Sequence, residues 1–112
     1  MRIIARSTLT RFIAKLAGQK DQRAVKAALD SWFQEARKAE WKNSAGVKAN
    51  YAHASIVGAD RVVFNIKGNA YRLISAVDYR RSIVFIKWIG AHAAYDKIDV
   101  RTVKYEPEAN QE

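Results

Sequence analysis

From Arg61 to Ile89 the chain alternates apolar and polar residues, broken by turn residues at two places, and this pattern constrains the fold more than any other feature. Successive side chains of a strand point to opposite faces. Val62, Phe64 and Ile66 therefore share one side of the Arg61–Lys67 strand, and Val63 and Asn65 the other. Gly68-Asn69 follows, a two-residue hairpin signal because both residue types tolerate positive φ. Such a turn pairs Ile66 with Tyr71, Asn65 with Arg72 and Phe64 with Leu73. The Cβ atoms of Asn65 and Arg72 then lie ~5 Å apart. The second turn, Tyr79-Arg80-Arg81-Ser82, can close on Arg80-Arg81. That register pairs Val77 with Val84, Ser75 with Ile86 and Ile74 with Lys87. Lys87 then joins Asn65 and Arg72, while Val84, Ile86 and Trp88 join Phe64, Ile66 and Leu73. A slip of one residue would reverse Lys87.

An apolar sheet face needs a cover, and the first forty residues supply one. Met1–Ala5 reads as a short strand that can join the same sheet. Ser7 or Thr8 can cap the next helix with a hydroxyl. Leu9, Phe12, Ile13 and Leu16 follow at helical spacing, and Gly18 can end the helix. Asp21 is a candidate cap for a second helix, whose stripe is Val25, Ala28, Leu29, Trp32, Phe33 and Ala36. Its opposite face carries Arg23, Lys26, Asp30 and Arg37. Burying Leu29, Trp32 and Phe33 is worth about 1.5–3 kcal/mol each. Glu40–Asp60 lacks a clear period and reads as a loop with a helical turn around Ala49–Ile56. The order is β-α-α-β-β-β plus a short C-terminal helix, an α+β domain with a helix hairpin on one face of a small, mostly antiparallel sheet. Residues 1–104 form a single domain in this reading, and the acidic 105–112, with Pro107, form a flexible tail.

A chain of 112 residues can bury roughly two-thirds of its unfolded surface without a disulfide or a structural metal. It has no cysteine, which excludes thiolate metal sites and is compatible with a reducing cytoplasm. No apolar run approaches the ~20 residues of a membrane span, and no secretory leader is evident. The charge is the first functional hint. Lys and Arg number 20 against 11 Asp and Glu. Three of those acids lie in the last eight residues, so the rest of the chain is more basic still. Such a surface attracts polyanions.

After Ile89 the chain is expected to turn at Gly90 and enter the polar segment His92-Ala93-Ala94-Tyr95-Asp96. His92 and Tyr95 are three apart, so one helical turn puts them on the same side, near the rim of the Asn65/Arg72 face. An imidazole can serve as acid or base near neutrality. A tyrosine can exchange a proton or stack on a base. Asp96 and Asp99 read as helix-end or ion-pair residues, because no cluster of His, Asp and Glu accompanies them to hold a metal. His53, alone in the loop, reads as structural, and Asn69 as a turn residue. There is no phosphate-cradling glycine loop.

The segments FNIKGNAYRLI, FIKWIG and HAAYDKID, together with the opening MRIIA strand and the two helices, resemble the HigB branch of the RelE-type toxins. The resemblance spans most of the chain, with its specific motifs in residues 64–99. It implies a compact sheet with an N-terminal helix hairpin. It further implies the toxin of a type II toxin–antitoxin pair that cleaves mRNA on the ribosome and needs neither a metal nor another cofactor. The partner it implies is a HigA-like helix-turn-helix antitoxin, through which operator DNA would be contacted indirectly. Metal-free cleavage can use the 2′-hydroxyl of the substrate as nucleophile. Arg72 then suits the scissile phosphate, since a guanidinium fork matches two of its oxygens. Lys87 adds a point charge. His92 and Tyr95 are the candidates for proton transfer. Asn65, Lys67, Arg80 and Arg81 are candidate RNA contacts. The alternative is a non-catalytic basic module that binds RNA or the ribosome, and a regulatory partner of an acidic protein is a third reading.

Overall fold

The computed structural model describes residues 1–103, and the acidic tail expected at 105–112 lies outside them. Nine elements follow in chain order. They are β1 (Arg2–Ile4), α1 (Arg6–Lys15), α2 (Gln22–Lys38), α3 (Ser44–Asn50), β2 (Ser55–Val57), β3 (Arg61–Ile66), β4 (Tyr71–Asp78), β5 (Ile83–Ala91) and α4 (His92–Tyr95). The strands form one sheet in the order β1-β5-β4-β3-β2. β1 runs parallel to β5 and every other pairing is antiparallel. The architecture is thus α+β, as the pattern predicts, with β2 and α3 added from the aperiodic stretch.

The α1 and α2 stripes pack on the sheet face formed by Val62, Phe64, Ile66, Leu73, Val77, Val84 and Ile86. Phe64 is the hub. Its ring meets Trp32 at 5.3 Å, Tyr51 at 5.1 Å and Trp41 at 6.0 Å between centroids. Edge-to-face and offset contacts of this kind add to the burial of the rings themselves. The end of α2 is tied to the start of β1 by the Met1 amino group, which donates to the carbonyls of Arg37 at 3.0 Å and Ala39 at 2.6 Å. Those carbonyls have no partner within the helix, so the bond satisfies acceptors that would otherwise face water.

Three local expectations need correction. Neither Ser7 nor Thr8 caps α1. The capping position is Ala5, in extended conformation, because the chain passes from β1 into the helix with a single intervening residue. Thr8 lies inside the first turn and is buried. Asp21 does occupy the position before α2, but its side chain does not cap the helix. Its carboxylate instead accepts from the Tyr71 hydroxyl at 3.3 Å and lies 3.6 Å from the Lys67 ammonium. The helix in the loop runs from Ser44 to Asn50, earlier than expected, because the Asn43 side chain accepts from the Gly46 amide and caps it there.

The β3–β4 register is as expected: Ile66 pairs with Tyr71, Asn65 with Arg72 and Phe64 with Leu73. The β4–β5 register agrees as far as Ser75 and Ile86, then shifts. Ile74 pairs with Trp88 rather than Lys87, and Arg72 pairs with Gly90. Lys87 is therefore the extra residue of a β-bulge, which inserts one residue without a partner and bends the strand. β5 also continues through Gly90 to Ala91 instead of turning there.

Candidate active site

The bulge decides what the second sheet face displays. Residues paired across strands share a face, so Asn65, Arg72, Ile74, Trp88 and Gly90 lie together, opposite the helices. Trp88 is thus displaced from the core face to the polar one. Lys87 stays on the polar face, its ammonium 5.4 Å over the ring of Phe85, which pairs with Ala76 on that side. No helix of the hairpin covers this face. At its β3 end, Arg61 donates to the carbonyls of Val100 at 3.0 Å and Val103 at 2.9 Å. That contact brings the segment after α4, with half-buried Ile98, Val100 and Val103, back across the sheet. The end around Asn65 and Arg72 stays open to solvent.

Arg72 is half-buried at this open end, its guanidinium held in a defined place. It donates to the Asn69 carbonyl at 2.8 Å and lies 5.6 Å from the centre of the Tyr95 ring. Both the Asn69 bond and the ring contact leave part of the planar fork free to meet an anion. The same β3–β4 turn fixes α4, because the His92 amide donates to the Ala70 carbonyl at 2.9 Å. The turn itself has positive φ at Lys67 and Gly68, and the latter is a position where glycine is at ease. The His92 imidazole is exposed, with Nε2 3.8 Å from the Asp96 carboxylate, within ion-pair reach but beyond a hydrogen bond.

Of the residues singled out in the sequence, the structure brings together Arg72, Tyr95, His92 and Asn65 around the β3–β4 turn. Lys87 shares their face, on the order of 10 Å further along β5. Lys67 is turned the other way, toward Asp21 at the start of α2. Arg80 and Arg81 lie in the turn at the opposite end of β4, roughly 20 Å from Arg72. Arg81 there pairs with Asp78 at 3.7 Å. His53 is exposed in the stretch before β2. The Asp99 carboxylate accepts from the Arg101 amide at 3.0 Å, a local turn contact. Among the described residues no three His, Asp or Glu side chains converge as a metal site would require.

Sequence reasoning missed Trp88 and Gly90 as residues of this face, because an alternation count does not reveal a bulge. The signal that could have found them is the Trp-x-Gly spacing within one strand, since a glycine two residues from an indole gives the ring room to lie on the backbone. A separate cleft of about 370 Å³ lies between α2 and α3, lined by Glu35, Lys38, Ala39, Asn50 and Tyr51. The Tyr51 hydroxyl donates to Glu35 there, on the helix side of the sheet and away from Arg72.

The fold defines a class: a small α+β domain whose helix-side sheet face carries the main core, and whose other face, over buried Val63 and Ile74, carries Arg72, Lys87, His92 and Tyr95 toward solvent. Comparison with known families is more specific. The chain belongs to the HigB_toxin family, described as the RelE-like toxic component of a toxin–antitoxin system, whose model matches residues 25–98. Every candidate residue from Asn65 to Tyr95 falls inside that match, whereas β1 and α1 lie outside it. No curated protein matches the chain. Membership makes this a toxin with an antitoxin as its partner. No helix among the described residues is long and apolar enough to cross a membrane.

Proposed function

We propose that this toxin is an endoribonuclease that cleaves mRNA on the ribosome, without a metal, and so stops translation in the cytoplasm. The observation that carries the reading is the placement of Arg72 against Tyr95, one turn of chain from His92, on the open end of a basic sheet face. Family membership supports the toxin role, and this geometry supports RNA as its target.

In this mechanism the Arg72 fork takes two non-bridging oxygens of the scissile phosphate in place of the Asn69 carbonyl. The adjacent 2′-hydroxyl attacks phosphorus, forming a 2′,3′-cyclic phosphate and expelling the 5′-oxygen. One proton leaves the 2′-hydroxyl and one reaches the 5′-oxygen. His92 and Tyr95 are the pair on hand for these transfers. Lys87 adds positive charge as the phosphorane forms. Asn65, exposed beside Arg72, orients the strand by hydrogen bonding. A HigA-like helix-turn-helix antitoxin neutralises the toxin and carries any contact with operator DNA.

The test is expression in cells followed by primer extension on translated messages. Wild-type toxin gives growth arrest and new 5′ ends within codons. Arg72→Ala abolishes both while leaving the melting temperature in place. Arrest with intact messages would replace this reading with the non-catalytic ribosome-binding module, to which the separate Arg80/Arg81 pole lends weight.

A further inference from the structure

Three tryptophans occupy two kinds of environment. Trp32 and Trp41 are 2% and 3% exposed in the helix-side core. Trp88 is half-exposed on the opposite face, where the bulge at Lys87 puts it. Its indole lies flat along its own strand: a Cβ on Gly90 would come within 2.5 Å of Cη2 and 2.6 Å of Cζ2. Any side chain at position 90 would push the ring away. Gly90 pairs directly with Arg72, so the six-membered ring of the indole reaches the rung that carries the guanidinium. The Tyr95 ring stands 6.4 Å away, tilted by 45°. An indole and a phenol thus form an open angle beside the Arg72 guanidinium, with Lys87 further along the same face over Phe85.

Trp88 pairs with Ile74, which has no exposed surface, yet the indole keeps solvent-accessible area on this face, while Ile89 next to it turns to the helix-side core. Unpaired nucleobases are held by surfaces of this kind, because every base offers a π-face to an aromatic ring while cations hold the adjoining phosphates. We propose that Trp88 is the stacking platform for a nucleobase next to the phosphate held by Arg72, and that Gly90 is the positioning residue that keeps the indole low enough for a base to enter. This inference rests on the reading of RNA as the ligand. It adds a base subsite, built on a residue with no part in proton transfer.

All three indoles emit, but quenching by a stacked base reports on Trp88, since the other two are buried out of a base's reach, and the Trp88→Phe variant supplies the background. The full-length toxin is titrated with a 2′-O-methyl RNA oligonucleotide, which binds but has no free 2′-hydroxyl, and with the same strand carrying an abasic central position. Quenching by the first and little by the second is expected. Trp88→Leu raises KM for RNA cleavage about tenfold with kcat little changed, Trp88→Phe recovers most of that loss, and Gly90→Ala mimics Trp88→Leu while unfolding cooperatively like the wild type. An equal response to both strands, or a Trp88→Leu variant with wild-type KM, overturns the proposal. The two readings fail separately. Base-dependent quenching by a protein that cuts no RNA removes the nuclease and keeps the subsite, whereas cleavage with base-independent quenching does the reverse.

Discussion

The two faces of the sheet are written by alternate residues of the same strands, and both bury apolar residues, yet the open end of the second face is built on a different principle from the helix side. On the helix side Phe64 is enclosed by Trp32, Trp41 and Tyr51, and Leu73 and Val84 have no exposed surface. That side gains from excluding water. On the other side Arg72, Trp88 and Tyr95 meet at ring and guanidinium separations of 5.6–6.4 Å, half in solvent. These contacts contribute little to stability, since a polar group with water at hand loses little when its partner goes. The lesson is a division of labour at single-residue resolution: Leu73 supports the fold, and its neighbour Arg72 is left at the surface for the proposed ligand.

The sharpest way to break this comparison is to cut each side at its hub. Phe64→Ala should destabilise the protein by about 3–5 kcal/mol, the range for an aromatic core truncation, read by urea denaturation. Arg72→Ala should move the same curve by under about 1 kcal/mol while lowering cleavage by about a hundredfold or more, the scale for a lost charge-stabilising group. A large stability loss in Arg72→Ala would show that the polar face also holds the fold.

Arg80 and Arg81 sharpen the comparison along the strands rather than across them. They are too far from Arg72 to touch the same phosphate. Replacing both by Ala should weaken ribosome association at low salt and flatten its salt dependence, with a slope change of about two in a log–log plot. The positions of the cuts in mRNA should stay the same. Shifted cut sites would place the Arg80/Arg81 turn in the active site.

The smallest effect is the dependence on alkaline pH. Partial burial of Tyr51, and then its hydrogen bond to Glu35, push its hydroxyl well above the usual tyrosine range. The unfolded chain ionises this group near pH 10. Folding therefore retains a proton that unfolding releases, so stability is complete below about pH 10 and falls as pH rises through the folded value. Tyr51→Phe should lack this part of the decline, measured as unfolding midpoints between pH 8 and 11. An identical alkaline slope in the variant would mean that the hydroxyl is already solvated in the fold.

Much of this arrangement is legible in the amino-acid sequence alone. The Gly68-Asn69 signal locates the turn and with it the pairing of Asn65 with Arg72, although the positive φ values fall at Lys67 and Gly68 rather than at Asn69. The helix stripes around Leu9 and Leu29 follow from period alone. What escapes depends on interactions that period does not encode. The shift at Lys87 arises between two strands, and neither strand shows it alone. Asp21 looks like a cap, but Tyr71 and Lys67, about fifty residues later, claim its carboxylate. The Ser55–Val57 strand is too short to show alternation and exists because β3 offers it an edge.

The bulge at Lys87 carries a consequence for how this protein can vary. With that residue removed, Ser75 would still meet Ile86, Ile74 would still meet Trp88 and Arg72 would still meet Gly90. A one-codon deletion there would be nearly invisible to the scaffold while removing the proposed charge at position 87. A deletion inside β5 on the turn side of the bulge, at Phe85 for example, would instead turn the preceding residues over relative to β4. Position 87 is thus a place where a cation can be gained or lost in evolution without rewriting the hairpin that bears it.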